Sequence, residues 1–198
     1  MTCARIAALT TVAAAAIALG PLASTSFAEM NGMNARAEKT VQVGGAPMYP
    51  SKNIVQNAVN SKEHTTLVAA VKAAGLVETL QSPGPFTVFA PTNSAFAQLP
   101  KGTVETLLKP ENKPKLTAVL TYHVVAGRLS AKDLMDAAER DGGWHKLKTV
   151  EGEELTVESR GNMLTIWDSK GNRSTITIRN VFQSNGVIHV IDKVLLPS

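Results

Sequence analysis

The side chains that could carry out chemistry are few in this sequence, and they lie far apart along it. The four histidines are His64, His123, His145 and His189, and no two of them have the short spacing by which one helix or loop holds a zinc ion. The single cysteine is Cys3, and the sequence contains no glycine-rich phosphate loop, nucleophile elbow or zinc-helix motif. We therefore predict that the protein is not an enzyme, and that it uses neither a metal ion nor another cofactor.

The charged residues argue against a second class of function. The 198 residues include 20 lysines and arginines against 16 acidic residues, which gives a net charge of +4, and no dense basic run is present. Nucleic-acid-binding domains concentrate their basic residues on one face or in one run. We therefore predict no nucleic-acid partner. The mild positive charge is compatible with weak attraction to anionic polysaccharide or lipid but favours neither.

Residues 1–28 have the pattern of a secretory signal peptide. Arg5 precedes an uncharged, alanine-rich apolar run, Gly20-Pro21 breaks that run, and Ser26-Phe27-Ala28 offers small residues at the two positions that a signal peptidase reads. Cleavage after Ala28 predicts a secreted or periplasmic protein with no stable membrane span. An uncleaved anchor is the alternative, but glycine, proline, serine and threonine make the second half of the segment a poor spanning helix.

The next segment, residues 29–50, has no sustained apolar period. Gly44-Gly45 and Pro47 interrupt it, which is typical of a loop, and we predict a flexible N-terminal tail. A first strand over residues 40–43 is the alternative.

Residues 51–198 are predicted to form one domain. Helical spacing of apolar residues comes first, for example over residues 67–74 and 115–125, and alternating strand patterns follow beyond Trp144. Helices followed by strands, with one strand early, predict an α+β fold.

The early strand turns directly into a capped helix, and the domain is organised around this element. Residues 86–90 alternate as a buried strand, and Pro91 ends the strand because proline cannot donate to a sheet ladder. Thr92 or Asn93 then supplies a side-chain oxygen that caps a short helix containing Phe96.

A second stretch near the C-terminus predicts a hairpin turn that leads into a buried strand. Asn185-Gly186 is typical of a two-residue turn with both residues at positive φ. Residues 187–196 are apolar on both faces. His189 lies within this strand, and we expect it to form hydrogen bonds in the core.

Between these two stretches lies Tyr122-His123, in the helix predicted over residues 115–125. His123 shares the apolar face of that helix with Leu116 and Leu120, so we expect its ring to be buried and hydrogen-bonded. Tyr122 lies about 100° from His123 around the helix, so we expect it to be exposed.

In order and spacing, these three stretches resemble the signature motifs of the fasciclin domain family. The resemblance implies a β-wedge of antiparallel strands with a helical N-terminal half packed against it. It also implies a non-enzymatic function in adhesion to a cell-surface or matrix protein or polysaccharide. Animal relatives often carry several such modules, whereas this sequence has one. The structural motif residues that the resemblance marks are Phe89, Pro91, Thr92, Asn93, Phe96, Asn185, Gly186 and His189.

In the same family the tyrosine–histidine pair has been linked to integrin-dependent adhesion, which makes Tyr122 and His123 the candidate binding residues. Animal adhesion members also carry an Asp-Ile pair before the final hairpin, and here Asn180 stands at the aspartate and Arg179 at the preceding proline. A neutral amide coordinates a metal ion less well than a carboxylate does, which argues against animal-type integrin binding. Since some fasciclin proteins bind carotenoids, the alternative function is that of a carrier of an apolar small molecule, carotenoid-like or lipid-like.

Overall fold

The first two strands lie in the segment that was predicted to be a flexible tail. The computed structural model describes residues 39–198, so the predicted signal peptide lies outside the described residues. Strands β1 (Val41–Val43) and β2 (Ala46–Met48) pair antiparallel, and Gly44 and Gly45, with φ angles of 58° and 76°, form the turn between them. Val43 and Met48 are buried in the core. The prediction of a flexible tail is therefore wrong for these residues, because the two glycines form a hairpin turn between apolar side chains.

The helices of the described residues lie mainly in the first half of the domain. Helix α2 shows why they pack: four apolar side chains, from Leu67 to Ala74, are buried, and Gly75 ends the helix in the left-handed conformation that glycine accepts. The helices are α1 (Ile54–Ala58), α2 (Thr65–Ala74), α3 (Val77–Gln81), α4 (Asn93–Ala97), α5 (Thr103–Leu107), α6 (Lys113–Tyr122) and α7 (Ala131–Arg140), with a 3-10 turn at Pro110–Asn112.

Helix α6 is shorter at its C-terminal end than the sequence predicted. It ends at Tyr122, and the chain continues into a strand, with Val125 opposite Thr87 in an antiparallel pair. Val124 and Val125 are β-branched and favour extended backbone. Their pairing with the neighbouring strand therefore outweighs the helical period of the apolar residues, and the predicted helix is wrong over its last three positions.

The strands form one large mixed sheet in the order β4-β3-β9-β8-β7-β6-β5. The predicted α+β fold is confirmed. Every neighbouring pair in this sheet is antiparallel except β3 and β9, which run parallel and are joined by the long connection that a parallel pair requires. The strands are β3 (Phe86–Pro91), β4 (Val124–Ala126), β5 (Trp144–Lys148), β6 (Glu154–Arg160), β7 (Met163–Trp167), β8 (Arg173–Gln183) and β9 (Gly186–Ile191).

Strand β8 bends and thereby gives the sheet its wedge shape. Its register against β9 shifts twice between Ile176 and Val181, and Asn180 within this stretch has a φ of 56°. The edge strand β4 then meets the segment that follows the other edge strand, β5, since the Val150 amide donates to the Val124 carbonyl at 2.8 Å. The strands β5–β8 and the strands β4, β3 and β9 therefore enclose a core between them.

The domain has two apolar cores, one on each side of strands β3 and β9. The first lies between these strands, the helices α1, α2 and α6, and the β1–β2 hairpin. The second lies inside the wedge and is covered by α7. Its fully or almost fully buried side chains include Phe89, Tyr122, Leu134, Leu155, Val157, Leu164, Ile166, Ile191 and Leu195.

Candidate functional site

Tyr122 and His123 lie where α6 ends and β4 begins, and both side chains are buried. Tyr122 has no exposed surface and belongs to the core inside the wedge, whereas His123 is 3% exposed and faces the helical core. The expectation that Tyr122 is exposed is wrong. The helix ends at this residue, so adjacent side chains enter the two cores on either side of the sheet instead of dividing between core and solvent.

Both ring nitrogens of His123 have a partner inside the protein. Nδ1 donates to the Val119 carbonyl at 2.7 Å, and Nε2 accepts from the Leu195 amide at 3.0 Å. Burial lowers the pKa of His123 to about 4, while the hydrogen bond to Val119 and the charge of Asp168 raise it. The ring is therefore neutral at pH 7 and joins α6 to the C-terminal segment, which is the core role expected from its position on the apolar face.

Tyr122 joins three parts of the wedge through its hydroxyl group. The hydroxyl donates to the Glu154 carbonyl at 3.0 Å and accepts from the Ser169 amide at 2.9 Å. It thus ties the end of α6 to β6 and to the turn between β7 and β8. Neither Tyr122 nor His123 offers a surface to a partner in this structure, and binding through this pair stays a prediction.

We expect Tyr122→Phe to lower the free energy of unfolding by about 1–2 kcal/mol, because it leaves the Ser169 amide and the Glu154 carbonyl without their buried partner. Urea denaturation followed by circular dichroism measures the change. Tyr49→Phe is the matched control, since Tyr49 is the other of the two tyrosines and its ring lies beside Lys52 near the surface. Equal stability of wild type and Tyr122→Phe would show that the hydroxyl does not hold the wedge.

His189 is also a core histidine. Its ring is fully buried and stacks on Phe89, with ring centroids 5.9 Å apart. Nε2 donates to the Leu129 carbonyl at 2.9 Å, and the Asn180 amide approaches Nδ1 at 3.5 Å. Burial lowers the pKa of His189 as well. The motif positions Phe89 and His189 therefore join neighbouring parallel strands within the wedge.

Asn180, which stands where animal relatives carry an aspartate, has a structural role here. Its Oδ1 accepts from the Ala131 amide at 2.7 Å and so holds the N-terminus of α7 against β8. An aspartate oxygen could accept the same hydrogen bond, so the inference against animal-type integrin binding stays a prediction.

In the strand-to-helix motif, the neighbouring residues Thr92 and Asn93 stabilise the starts of two different helices. Thr92 caps α4 by accepting from the Ala95 amide at 3.2 Å. Asn93 instead fixes the start of α2, since its Oδ1 accepts from the Thr66 amide at 3.0 Å and its Nδ2 donates to the Lys62 carbonyl at 2.9 Å. Pro91 and Phe96 are buried, Pro91 as the last residue of β3 and Phe96 in the helical core.

Asn185 links segments that are far apart in the chain. Its Oδ1 accepts from the Ile54 amide at 3.0 Å, and its Nδ2 donates to the carbonyls of Leu80 and Ser82 at 2.8 and 2.9 Å. It thereby caps the start of α1 and the end of α3 from the β8–β9 turn. No local sequence pattern predicts this role, because the partners lie more than 100 residues away.

The turn predicted at Asn185-Gly186 is wrong by one residue. Gln183 pairs with Gly186, so Ser184 and Asn185 form the turn, and neither Asn185 nor Gly186 has a positive φ. Gly186 is required for a different reason. A Cβ there would fall on the Phe86 carbonyl oxygen and lie 3.1 Å from Ile54 Cδ1. The glycine marks a close approach between strands and not a turn.

Comparison with known proteins fits this geometry. A sequence model of the fasciclin domain matches residues 62–197. The chain belongs to the fasciclin domain family. The matched region begins before α2 and contains every motif residue described above.

Relatives of this fasciclin domain occur in bacteria and in animals. The chain is 44% identical over 196 residues to protein sll1483 of Synechocystis, which covers 99% of this chain and 98% of that protein. It is 35% identical over 197 residues to immunogenic protein MPB70 of Mycobacterium bovis, which covers 97% and 91%. Against the pig transforming growth factor-beta-induced protein ig-h3 the identity is 34% over 148 residues, which are 75% of this chain but 20% of the relative.

A solved structure agrees with the fold. The FAS1 domain pair of the insect cell adhesion molecule Fasciclin I superposes with a TM-score of 0.67 at 17% identity, over 81% of this chain and 58% of that one. At this identity the likeness establishes the fold alone.

Two further observations concern the described residues. Among the described residues, no three histidine, cysteine, aspartate or glutamate side chains lie together as a metal site. None of the helices between residues 39 and 198 is long and apolar enough to cross a membrane.

The exposed surface contains a feature that the sequence reasoning missed. Both tryptophans of the chain, Trp144 on β5 and Trp167 on β7, lie on the outer face of the wedge with ring centroids 5.7 Å apart. Trp144 is 44% exposed, and Met163 on the same face is 57% exposed. No local pattern connects two tryptophans 23 residues apart in the chain, and only the pairing of β5, β6 and β7 brings them together.

Proposed function

We propose that this protein is a secreted or periplasmic binding protein without enzymatic activity, and that it acts in adhesion at the cell surface or in a surrounding matrix. Membership in the fasciclin domain family supports this proposal, since ig-h3, periostin and Fasciclin I are relatives or structural neighbours, and Fasciclin I is described as a cell adhesion molecule. The partner is a surface or matrix protein or polysaccharide.

One structural observation carries the proposal. The polar side chains of the three motifs form hydrogen bonds within the fold, as the partners of Tyr122, His123 and Asn185 illustrate. They build the scaffold and leave the outer sheet surface for recognition. Catalytic groups would instead converge on a cleft, with at least one side chain able to reach a substrate.

Retention on cells tests the adhesion proposal. Labelled protein purified as the mature chain is added to cells of the producing organism, and the bound fraction is measured after washing. We expect saturable retention that excess unlabelled protein displaces. Retention no greater than that of an unrelated basic protein of similar size would overturn the proposal.

Export is proposed on the pattern of residues 1–28. We expect N-terminal sequencing of the protein from the periplasm or the medium to begin at Glu29. A product that retains Met1 in the membrane fraction would contradict cleavage.

The alternative function, carriage of a carotenoid-like or lipid-like molecule, has one cavity to consider. An apolar cavity of about 60 Å³ lies in the helical core, lined by Met48, Leu67, Val71 and Ile188 among others. A cavity that admits benzene measures about 150 Å³. The space is therefore too small for such a ligand without displacement of the β1–β2 hairpin, and a colourless purified protein is the result we expect.

A further inference from the structure

The outward-facing side chains of β5–β8 form a surface, here called the tryptophan face, that combines aromatic rings with charge. The inner residues of these strands fill the core of the wedge, so the outer ones are expected to be polar. Trp144, Met163 and Trp167 depart from that pattern and are exposed or half-buried. Contiguous exposed apolar side chains rimmed by polar residues mark interaction sites.

A buried carboxylate holds this surface in place. Glu158 lies on the outer side of β6, directly opposite Trp144 in the strand pairing, yet it is only 5% exposed. Its Oε2 accepts from Trp167 Nε1 at 2.9 Å, and its Oε1 pairs with Arg160 Nε. The Trp167 indole is therefore held in one orientation before any partner arrives, which lowers the entropy lost on binding.

The tryptophan face also carries two cations that form no salt bridge within the described residues. Arg173 is opposite Trp167 in the pairing of β7 with β8. Together with Lys193 it lines a polar groove of about 250 Å³ beside the rings. Neither cation has an ion pair among residues 39–198. The Asp192 carboxylate lies in the same groove, where its Oδ1 accepts from the Thr175 amide at 2.7 Å, so the groove carries two cations and one anion and is positive overall.

We propose that the tryptophan face binds an acidic polysaccharide. Sugar rings place their apolar C–H faces on Trp144 and Trp167, while a uronate carboxylate reaches Arg173 in the groove. The hydroxyl groups of Thr165 and Thr175 line the same groove and suit the hydroxyl groups of a sugar. The proposal rests on the adhesion function and gives it a partner class, which the charge complementarity selects.

Tryptophan fluorescence tests this binding directly, because the chain has two tryptophans and both lie on this face. The mature protein is titrated with oligomers of polygalacturonate, and dextran of matched length serves as the neutral probe. We expect a saturable shift in emission with polygalacturonate, at least tenfold weaker binding of dextran, and weaker binding of polygalacturonate as salt rises. Equal binding of both polymers, or no change with either, would overturn the proposal.

Charge reversal locates the site. We expect Arg173→Glu to weaken polygalacturonate binding at least tenfold, and Lys115→Glu, which makes the same change on the exposed side of α6, to alter it less than twofold. Trp144→Ala, followed by titration calorimetry, is expected to weaken binding at least tenfold while the melting temperature stays within about 3 °C. Equal effects of the Arg173 and Lys115 variants would assign the binding to overall charge and contradict a defined site.

Two outcomes separate this inference from the adhesion proposal. If the wild-type protein is retained on cells and Arg173→Glu is retained equally well, adhesion stands and the tryptophan face is not its surface. If the wild-type protein is not retained, adhesion fails whatever the polygalacturonate titration shows. Tighter binding of single-stranded DNA than of polygalacturonate would assign the face to nucleic acid and overturn the proposal.

Discussion

Replacement of Gly186 by valine is expected to prevent stable folding or to lower the free energy of unfolding by about 3 kcal/mol or more. Gly186 begins β9 and lies opposite Phe86 in the parallel pair with β3. A Cβ at this position would fall on the Phe86 carbonyl oxygen and lie 3.0 Å from the carbonyl carbon. Backbone atoms cannot move aside as a flexible side chain can, so the two central strands must separate. Thermal and urea denaturation of the purified variant measure the loss.

Two control variants separate this close approach from a turn effect. Gly102→Val also replaces a glycine, but its Cβ would meet open space, so only the strain of a φ of 83° remains, at about 1–2 kcal/mol. Asn185→Gly would be tolerated if residue 185 were needed only for a turn. We expect it instead to destabilise the fold, because three side-chain hydrogen bonds, two of them buried, are lost. A Gly186→Val protein as stable as wild type would contradict the parallel pairing of β3 with β9.

Removal of the His123 ring is the second change with a large expected effect. His123→Ala leaves the buried Leu195 amide and the Val119 carbonyl without their partner, and it adds empty space beside an existing cavity. We expect the free energy of unfolding to fall by about 3 kcal/mol. Urea denaturation at pH 7 measures this change, and a fall of less than about 0.5 kcal/mol would contradict the core role of the ring.

The same histidine makes stability depend on pH in a defined direction. Its pKa in the folded protein is about 4, below the ordinary value of 6.5. Between these two values the unfolded chain binds a proton that the folded protein does not, so stability falls as the pH decreases from 6.5 and the loss is complete below about pH 4. The contribution of His123 is about 3 kcal/mol, and the lowered pKa values of His64 and His189 act in the same direction.

Comparison of histidine variants isolates the contribution of His123 to this pH dependence. We expect His123→Gln to be less stable than wild type at pH 7 but to lose less further stability between pH 6.5 and pH 4. His145→Gln is the control, because it removes a histidine that is partly exposed and pairs with Asp141 at 2.6 Å. An unchanged slope in His123→Gln would show that the ring does not remain neutral in the folded protein.

Sequence reasoning predicted the parts of the fold that short segments determine. The ends of two helices illustrate such local signals: the Ser130 side chain caps α7 by accepting from the Asp133 amide, and Gly75 ends α2. Such signals depend on neighbouring residues alone. A cap at Thr92 or Asn93 was predicted for the same reason, and Thr92 has that role, whereas the distant partners of Asn93 and Asn185 were not predicted.

The sequence-based predictions are wrong where pairing between strands that are distant in the chain determines the structure. Tyr122 would be exposed on a continuing helix, but pairing of Val125 with Thr87 ends α6 and turns the tyrosine into the wedge. Gly186 follows an asparagine, as in many hairpin turns, yet glycine is required there because a Cβ would collide with the Phe86 carbonyl. The tryptophan face likewise depends on the order of β5, β6 and β7 in the sheet, and this order cannot be predicted from composition or periodicity.

We infer that the Tyr122-His123 pair holds the fold and that the tryptophan face makes the contact with a partner. Retention on cells is compared for His123→Gln and Trp144→Ala, each well below its melting temperature and normalised to folded protein. We expect His123→Gln to be retained like the wild type and Trp144→Ala to lose most of its retention. Full retention of Trp144→Ala together with loss of retention by folded His123→Gln would contradict this inference.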